Sequence, residues 1–530
     1  MQRLRFRPLA LAVVLGAAAL VPMVGVDAHA GAGRQHEINV SRGMANVQVL
    51  SLLPNSKENT SVIAQNNGSA PATIAMDIYT PGGVAVPSGA LMFQNVPAGG
   101  TRVFAQAINA GLTPGFRGVG VVSSDQPINA LLVRDIEQAG TGRKSYSIHN
   151  AYAAGGSKVT LPYITNALDN TFNTRFAIAN TGAAVACVTI TYAFPGGIKA
   201  PYTDNGPGGG GCAGGYPIPV NGQISFAPNN VDGAIPMPSQ TANSIMAATV
   251  NVTGSTVTVG VDAFLTGGLR KLASYDGFVV SADPNSTTDD VGKTISIPLA
   301  LKLSGYYSQI LLSNPAGSAA TATITYSGDT GTYTVPLSVP ASGTASHSVY
   351  EAVGGIPEGF LGSAIITSDQ PLAAVLFRSK MTAPGSFVDE DLYTAVNGVP
   401  TDRATTSAKF PLIFRRAYKS GGADGYNTWV GVAVADGSTA NLTITAINDT
   451  SNGAPGCTAP ATYTSTKTIS GSFVFYQNSD VASDNGFGAN PGCFWGGMTI
   501  TSDKPIIAIA DATNDLNSGD NDGLYNAFGG

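Results

Sequence analysis

The chain has 530 residues, of which 43% are hydrophobic and only 11% are charged, and its formal net charge is −6. A negative chain with so few charged residues lacks the basic surface that binds nucleic acid, so a nucleic-acid partner is excluded. Glycine and proline together make up about 18% of the residues. This is below the roughly 25–30% typical of disordered low-complexity chains, and the length suffices for about three or four folding units.

The first 30 residues have the three parts of an export signal. A basic start with three arginines precedes the apolar run 9–26, and the A-x-A pattern of residues 28–30 follows it. This order predicts a cleaved signal peptide over residues 1–30 and hence a secreted protein. The alternative is an uncleaved membrane anchor, which Pro22 and the adjacent A-x-A pattern disfavour. No other run reaches 18 apolar residues, so we expect no transmembrane segment in the mature chain.

One short pattern occurs four times along the rest of the chain. In each copy, apolar residues alternate with small or polar residues at a period of two, as in a strand with one buried and one solvated face. The four copies are 74–78, 188–192, 322–326 and 442–446. A short turn containing Asn, Asp or Gly precedes each copy, and another apolar strand precedes the turn. We therefore predict a β-hairpin in each copy.

A second recurrence, Ser-Asp-Gln-Pro or Ser-Asp-Lys-Pro, lies between two apolar strands in three of the four copies. The motif begins at Ser124, Ser368 and Ser502, whereas the second copy has residues 251–256 at this place. Asp accepts hydrogen bonds from nearby backbone N–H groups and Pro fixes φ, so we interpret the motif as a tight turn. Turn chemistry accounts for the motif without a ligand-binding role for its carboxylate.

Each copy ends with a tyrosine-bearing strand, and a polar segment follows each of the first three copies. We predict four repeats on this basis, called the first to fourth repeat below: 37–152, 158–281, 293–398 and 408–530. About seven short strands in each, with no amphipathic helix pattern, predict an all-β fold of four tandem antiparallel β-sandwich domains. A barrel of the same size is the alternative. The polar segments are interpreted as linkers that space the repeats into an array.

Four cysteines follow the signal, and an even number in an exported chain predicts disulfides. Pairing Cys187 with Cys212 and Cys457 with Cys493 would close loops of about 25 and 36 residues, each stabilising the fold by roughly 3–4 kcal/mol. The wide spacing and the absence of a C-x-x-C motif disfavour zinc. The pairs fall in the second and fourth repeats, which also have the longest loops.

Four β-rich repeats of this size resemble the tandem immunoglobulin-like repeats of bacterial secreted and surface-layer proteins. The resemblance covers nearly all of the mature chain and rests on repeat layout and composition. It implies structural or adhesive work outside the cell and transfers no site residue. The Cys…Trp…Cys pattern of antibody domains is absent, because Trp429 and Trp495 both lie in the fourth repeat.

Histidine is the commonest general base, and three histidines follow the signal: His36, His149 and His347. They occupy different places in the repeats, so we expect isolated histidines and predict no catalytic residue and no enzyme. The sequence also lacks the G-x-S-x-G and H-E-x-x-H motifs. A hydrolase in one of the loop-rich repeats is retained as a rival hypothesis.

Asp520 and Asp522 belong to an acidic segment near the C-terminus and are the calcium candidates. Calcium prefers carboxylate oxygens, but the loop has Ser518 at the first ligand position and lacks Glu at the twelfth. Solvated loop carboxylates are therefore the favoured interpretation. We predict no cofactor other than this calcium hypothesis.

The fourth repeat concentrates aromatic residues, so Trp429 and Trp495 are the binding candidates, with core packing as their competing role. We expect an exported, non-enzymatic structural or adhesive protein of the cell envelope or extracellular matrix, acting through sheet edges and loops. Its partner would be itself, as a homo-oligomer or lattice, or a cell-surface polysaccharide or protein. The alternative is a secreted carbohydrate-binding protein with its site in the fourth repeat.

Overall fold

A computed structural model describes much of the chain after the predicted signal peptide, which itself lies outside the described residues. The described residues are 43–45, 57–137, 144–151, 155–167, 172–195, 199–228, 233–265, 272–281, 289–380, 393–419, 424–449, 457, 461–489, 492–515, 519–520 and 522–529. They form mainly antiparallel sheets with short 3-10 turns, which confirms the predicted all-β class and its sandwich-like layering. The turns are Pro87–Gly89, Gln106–Ile108, Ser239–Thr241 and Thr401–Arg403.

The first repeat contains two sheets that face each other. Its strands are β1 (Gly43–Ala45), β2 (Lys57–Asn66), β3 (Ala72–Tyr79), β4 (Leu91–Val96), β5 (Thr101–Ala105), β6 (Val119–Ser124), β7 (Ile128–Glu137) and β8 (Lys144–Asn150). The strand orders are β1-β6-β3-β4 and β8-β7-β2-β5. Ile74 and Met76 of the first sheet share a core with Val62 and Phe104 of the second.

The second repeat has the same two-layer arrangement with extra short strands. Its strands are β9 (Lys158–Asn166), β10 (Phe172–Asn180), β11 (Ala186–Ala193), β12 (Tyr202–Asp204), β13 (Tyr216–Ile218), β14 (Gln223–Ala227), β15 (Ile235–Pro236), β16 (Ser244–Thr253), β17 (Val257–Leu265), β18 (Leu272–Asp276) and β19 (Phe278–Val279). One sheet runs β12-β11-β16-β9-β19, with β13 also paired to β11, and the other runs β15-β14-β10-β17-β18.

The third repeat uses one long strand in both layers. Its strands are β20 (Gly292–Leu303), β21 (Tyr306–Ser313), β22 (Ala320–Gly328), β23 (Gly331–Val339), β24 (Thr344–Ser348), β25 (Phe360–Lys380) and β26 (Tyr393–Asn397), with β27 (Val399–Pro400) directly after it. The first half of β25 pairs with β20 and β22, and its second half pairs with β21 and β26. The two layers are therefore joined through β25.

The fourth repeat follows the pattern of the third. Its strands are β28 (Thr405–Arg415), β29 (Tyr426–Val434), β30 (Thr439–Asn448), β31 (Thr462–Ser470), β32 (Ser472–Tyr476), β33 (Phe494–Asn514), β34 (Gly519–Asp520), β35 (Asp522–Asn526) and β36 (Phe528–Gly529). The long strand β33 pairs with β28 and β30 in one layer and with β29 and β35 in the other. The strand β34 pairs instead with β8 of the first repeat.

The hairpin prediction is wrong, because the two strands beside each predicted turn belong to opposite layers. The turn residues Asn66, Asn180 and Asn314 make the same contacts in three repeats. Each side-chain amide donates to two backbone carbonyls and each Oδ1 accepts an N–H two residues later. Alternation gives both strands a buried face, and this turn places the two buried faces opposite each other across the core.

The Ser-Asp-Gln/Lys-Pro motif also differs from its prediction. In the third and fourth repeats it lies inside the continuous strands β25 and β33, where the chain passes between layers, so the tight-turn prediction is wrong there. The motif Asp instead accepts the backbone N–H of a neighbouring strand. Asp125 binds Thr73 at 2.8 Å and Asp369 binds Thr321 at 2.9 Å. The hydroxyl of the motif Ser, and not the Asp carboxylate, accepts the backbone N–H of the third motif residue.

The tyrosine-bearing strands of the four repeats, β8, β18, β26 and β35, meet at the centre of the molecule. Each of them contacts two of the others, so that the first repeat touches the second and fourth and the third repeat does likewise. Apolar cores continue across these junctions: Val375 and Phe377 of the third repeat join the core of the second, and Ile63 and Val133 of the first join the core of the fourth. The repeats thus form a closed ring and not a spaced array.

Both predicted disulfides are present. Cys187 pairs with Cys212 and Cys457 pairs with Cys493, with Cα–Cα distances of 5.6 and 5.0 Å. The first bridge joins β11 to the glycine-rich loop that precedes β13, and the second ends next to the start of β33. The bridges therefore fasten loops of the second and fourth repeats to their sheets.

Candidate functional site

Buried ion pairs hold neighbouring repeats together at equivalent positions. The strand before the tyrosine-bearing strand carries one buried charged residue, which is Arg134 in β7 of the first repeat and Asp262 in β17 of the second. Nη1 of Arg134 lies 2.5 Å from Oδ2 of Asp262, and both residues are buried. Two isolated buried charges would be costly, so the pair fixes which faces of the two repeats meet.

The third and fourth repeats reproduce this pairing. Arg378 occupies the place of Arg134 and binds both Asp511 and Asp522, and its Nη2 lies 2.9 Å from Oδ1 of Asp511. Burial raises the pKa of Asp522 well above its usual value, and the charge of Asp511 adds to this effect while Arg378 opposes it. The arginine of each cluster thus comes from the first or third repeat, and the aspartates come from the second or fourth. The disulfides also lie in the second and fourth repeats, so the ring has an approximate twofold pattern.

His149 is a buried member of the junction between the first and second repeats. Its Nδ1 lies 2.9 Å from Oδ1 of Asp276 and its Nε2 lies 3.2 Å from Oδ1 of Asp262. Burial favours the neutral ring, but the hydrogen bonds and charges of the two aspartates prevail and raise the pKa of His149 to about 9. The expectation of isolated histidines is wrong for His149. His347 is also buried and contacts the Tyr326 hydroxyl at 2.9 Å.

The calcium candidates have protein partners in this structure. The carboxylate of Asp520 accepts the N–H of Leu272 at 2.8 Å and the N–H of Tyr393 at 2.9 Å. Because β34 also pairs with β8, this segment joins all four repeats at the centre. Asp522 binds Arg378. Within the described residues, no three acidic, His or Cys side chains are grouped as a metal site would require. Calcium binding therefore stays a prediction.

Trp495 lines a cavity of about 270 Å³ between the first and fourth repeats, called the aromatic cleft here. Its walls are mainly apolar and include six aromatic rings. The lining residues are Asn59, Ser61, Ile63, Leu91, Phe93, Val103, Ala105, Ala107, Ile108, Asn109, Val133, Asp135, Tyr146, Leu412, Phe414, Tyr418, Tyr426 and Trp495. The cleft lies where the sheet β8-β7-β2-β5 of the first repeat meets β28 of the fourth repeat.

Trp429 lines a second cavity, of about 280 Å³, between the third and fourth repeats, called the polar cavity here. Its ring packs against Tyr476 with centroids 4.9 Å apart. The lining residues are Leu301, Tyr306, Arg378, Asp424, Gly425, Asn427, Trp429, Asn478, Asp511, Thr513, Asn514, Asp515 and Asp522. The lining of this cavity thus combines an indole ring with an arginine and several amide and carboxylate side chains.

The structure brings some of the sequence candidates together and separates others. Trp429 and Asp522 line the same cavity, Trp495 lies at a different junction, and Asp520 binds backbone at the centre of the ring. Sequence reasoning missed Arg134 and Arg378. The available signal was a charged residue directly after a largely apolar run, at the seventh position after the motif proline in the first and third repeats.

No protein-family model matches this chain, and no curated protein matches it. In the part of the chain that the structure describes, no helix has the length and apolar character needed to cross a membrane. Functional inference therefore rests on the junction residues and the two cavities.

Proposed function

We propose that this protein is an exported, non-enzymatic structural or adhesive protein of the cell envelope or extracellular matrix. The observation that supports the proposal is the closed ring. Buried ion pairs and packed strands join each repeat to its two neighbours and so fix the directions of the outer sheet edges. Two disulfides are compatible with an oxidising compartment. The likeness to tandem immunoglobulin-like repeats of secreted proteins favours the same role.

The edge strand β31 is the surface that suits this role best. It pairs with β30 and lies at the side of its sheet away from the central strands. Its exposed residues are Thr462, Thr464, Thr466, Thr468 and Ser470, which are polar but uncharged. Lys467 bends back, with its Nζ 4.1 Å from the centroid of the Phe473 ring and 2.7 Å from the Ser483 carbonyl oxygen. Its charge therefore does not protect the edge, which can accept a strand from a second copy or a partner.

Lysine substitutions on this edge test the proposal. Thr464→Lys/Thr468→Lys places two positive charges on β31, whereas Thr443→Lys/Thr445→Lys places them on β30, inside the same sheet. Light scattering and electron microscopy of the mature protein, with a pull-down on isolated envelopes, should show assembly or binding for the wild type and the β30 control and its loss in the β31 variant. Dispersed, non-binding wild-type protein at every concentration would overturn the proposal.

Carbohydrate binding in the fourth repeat is the second candidate, and the polar cavity favours it. An indole ring can stack on the apolar face of a sugar, and neighbouring amide and carboxylate groups can bind its hydroxyls. Trp429, Asn478 and Asp515 supply these groups. In a glycan-array experiment, Trp429→Ala and Asn478→Ala should each reduce the signal, while Trp495→Ala leaves it unchanged. Equal signals from all folded variants would argue against this site.

A further inference from the structure

The aromatic cleft has a wall of interlocking rings contributed by the fourth repeat. The centroids of Phe414 and Trp495 are 4.7 Å apart, those of Tyr418 and Trp495 are 5.8 Å apart, and those of Tyr418 and Tyr426 are 6.0 Å apart. All three pairs are edge-to-face. Because an aromatic face carries partial negative charge, a wall of this kind attracts a cation that reaches it.

The first repeat supplies the opposite wall and the charge. Asp135 is the only charged side chain among the described residues that line the cleft. It lies across from Tyr146 in the ladder between β7 and β8. The adjacent Arg134 binds Asp262, and successive residues of a strand point to opposite faces of the sheet. Burial raises the pKa of Tyr146 well above its usual value, so its hydroxyl stays neutral.

The size and lining of the cleft restrict the kind of cation. Its volume of about 270 Å³ is just below the roughly 300–1,000 Å³ of sites for drug-sized ligands, so it suits a small group. A primary ammonium has three N–H donors that each need an acceptor. The walls are mainly apolar, the Asp135 carboxylate is the one charged acceptor among the described lining residues, and the amide of Asn109 already binds Gly89 and Gly111. A quaternary ammonium carries the charge without any N–H donor.

We propose that the aromatic cleft binds a quaternary ammonium group, such as the trimethylammonium group of choline. The methyl groups lie against Trp495 and Tyr418, and the carboxylate of Asp135 balances the charge. The same chemistry is found in free choline and in phosphocholine lipid headgroups. This site is separate from the β31 edge and the polar cavity, so it does not depend on the function proposed above.

Calorimetric titration of the full mature protein with choline and tetramethylammonium tests the site. We expect saturable binding of both, with ethanolamine and the uncharged isostere 3,3-dimethylbutanol binding at least about tenfold more weakly. Flotation with phosphatidylcholine vesicles, compared with phosphatidylglycerol vesicles, separates the two sources. Vesicle binding indicates the lipid headgroup, and binding of free choline alone indicates a small molecule. No saturable binding of either probe, or equal binding of the isostere, would overturn the proposal.

Variants identify the residues responsible. Trp495→Leu and Asp135→Asn should each weaken choline binding by about three- to thirtyfold, whereas Trp429→Leu in the polar cavity is the matched control and should leave it unchanged. Because Trp495 also packs against the core of the fourth repeat, Tyr418→Leu provides a second test of the same wall. Unchanged affinity in folded Tyr418→Leu and Asp135→Asn proteins would contradict the assignment.

Discussion

Asn150 and Asn526, which are 376 residues apart in the chain, exchange hydrogen bonds where the first and fourth repeats meet. The Asn150 side-chain amide donates to the Asn526 carbonyl at 2.8 Å, and the Asn526 N–H donates to Oδ1 of Asn150 at 3.3 Å. Asn397 and Asp276 make the same exchange between the third and second repeats, at 2.7 and 3.1 Å. These two pairs lie at the junctions that the ion pairs of Arg134 and Arg378 do not join.

We expect Asn150→Ala and Asn397→Ala each to lower the free energy of unfolding by about 1–3 kcal/mol, because each leaves partly buried backbone groups without a hydrogen bond. Urea denaturation measures the loss. Gln240→Ala, at an exposed position, should change stability by less than about 0.5 kcal/mol. If only one of the two asparagine variants is destabilised, the equivalence of the two junctions is incorrect.

Local patterns in the sequence predicted the elements of this fold well. Period-two alternation located strands such as β3, β11, β22 and β30, and an even number of cysteines indicated the two bridges that are present. These features depend on neighbouring residues or on loops of a few dozen residues. They can therefore be read without knowing the arrangement of the repeats.

The pairing of strands was harder to predict from the sequence, because the same kind of turn can join two strands of a hairpin or two strands in opposite layers. An Asn-containing turn between two alternating strands suits a hairpin, but the amide of Asn66 instead binds the carbonyls of Ala70 and Val96 and directs β2 and β3 into opposite layers. Val96 lies 30 residues away. Nothing in the sequence pattern around Asn66 identifies Val96 as its partner.

The ring and its cavities were the least predictable features. Arg134 meets Asp262 across 128 residues and His149 meets Asp276 across 127, so local spacing has no bearing on either contact. Trp495 was a candidate because of its residue type, but its cleft requires Asp135 and Tyr146 from the first repeat. A site built at a junction between distant repeats becomes visible only when their packing is known.

Arg378 provides a test of the buried charges between the third and fourth repeats. Arg378→Met leaves Asp511 and Asp522 buried without their cation, and we expect a loss of about 3–5 kcal/mol in the free energy of unfolding. The triple variant Arg378→Met/Asp511→Leu/Asp522→Leu removes the guanidinium and both carboxyl groups and should recover much of that loss in urea denaturation. A triple variant as unstable as the single one would show that the cluster does not act through its charge.

The two disulfides should contribute similarly to stability. Replacing Cys187 and Cys212 by serine, or Cys457 and Cys493 by serine, should each lower the free energy of unfolding by about 2–4 kcal/mol. Their separations of 25 and 36 residues predict a difference of only about 0.3 kcal/mol between them in the chain-entropy model. Calorimetry of both double variants under the same conditions measures this. A much larger difference would indicate that one bridge also holds packing that the other does not.

His149 makes the junction between the first and second repeats dependent on pH. Its pKa is about 9 in the folded chain and 6.5 without these contacts. The folded state therefore binds the proton more tightly, and this stabilisation is complete below pH 6.5 and is lost as the pH rises through about 9. It corresponds to about 3 kcal/mol. In urea denaturation, the difference between wild type and His149→Gln should accordingly be largest near pH 6 and smallest near pH 10. Titrating groups that do not contact His149 are common to both proteins and cancel in the difference. A difference that is constant between pH 6 and pH 10 would show that His149 is not charged in the folded chain.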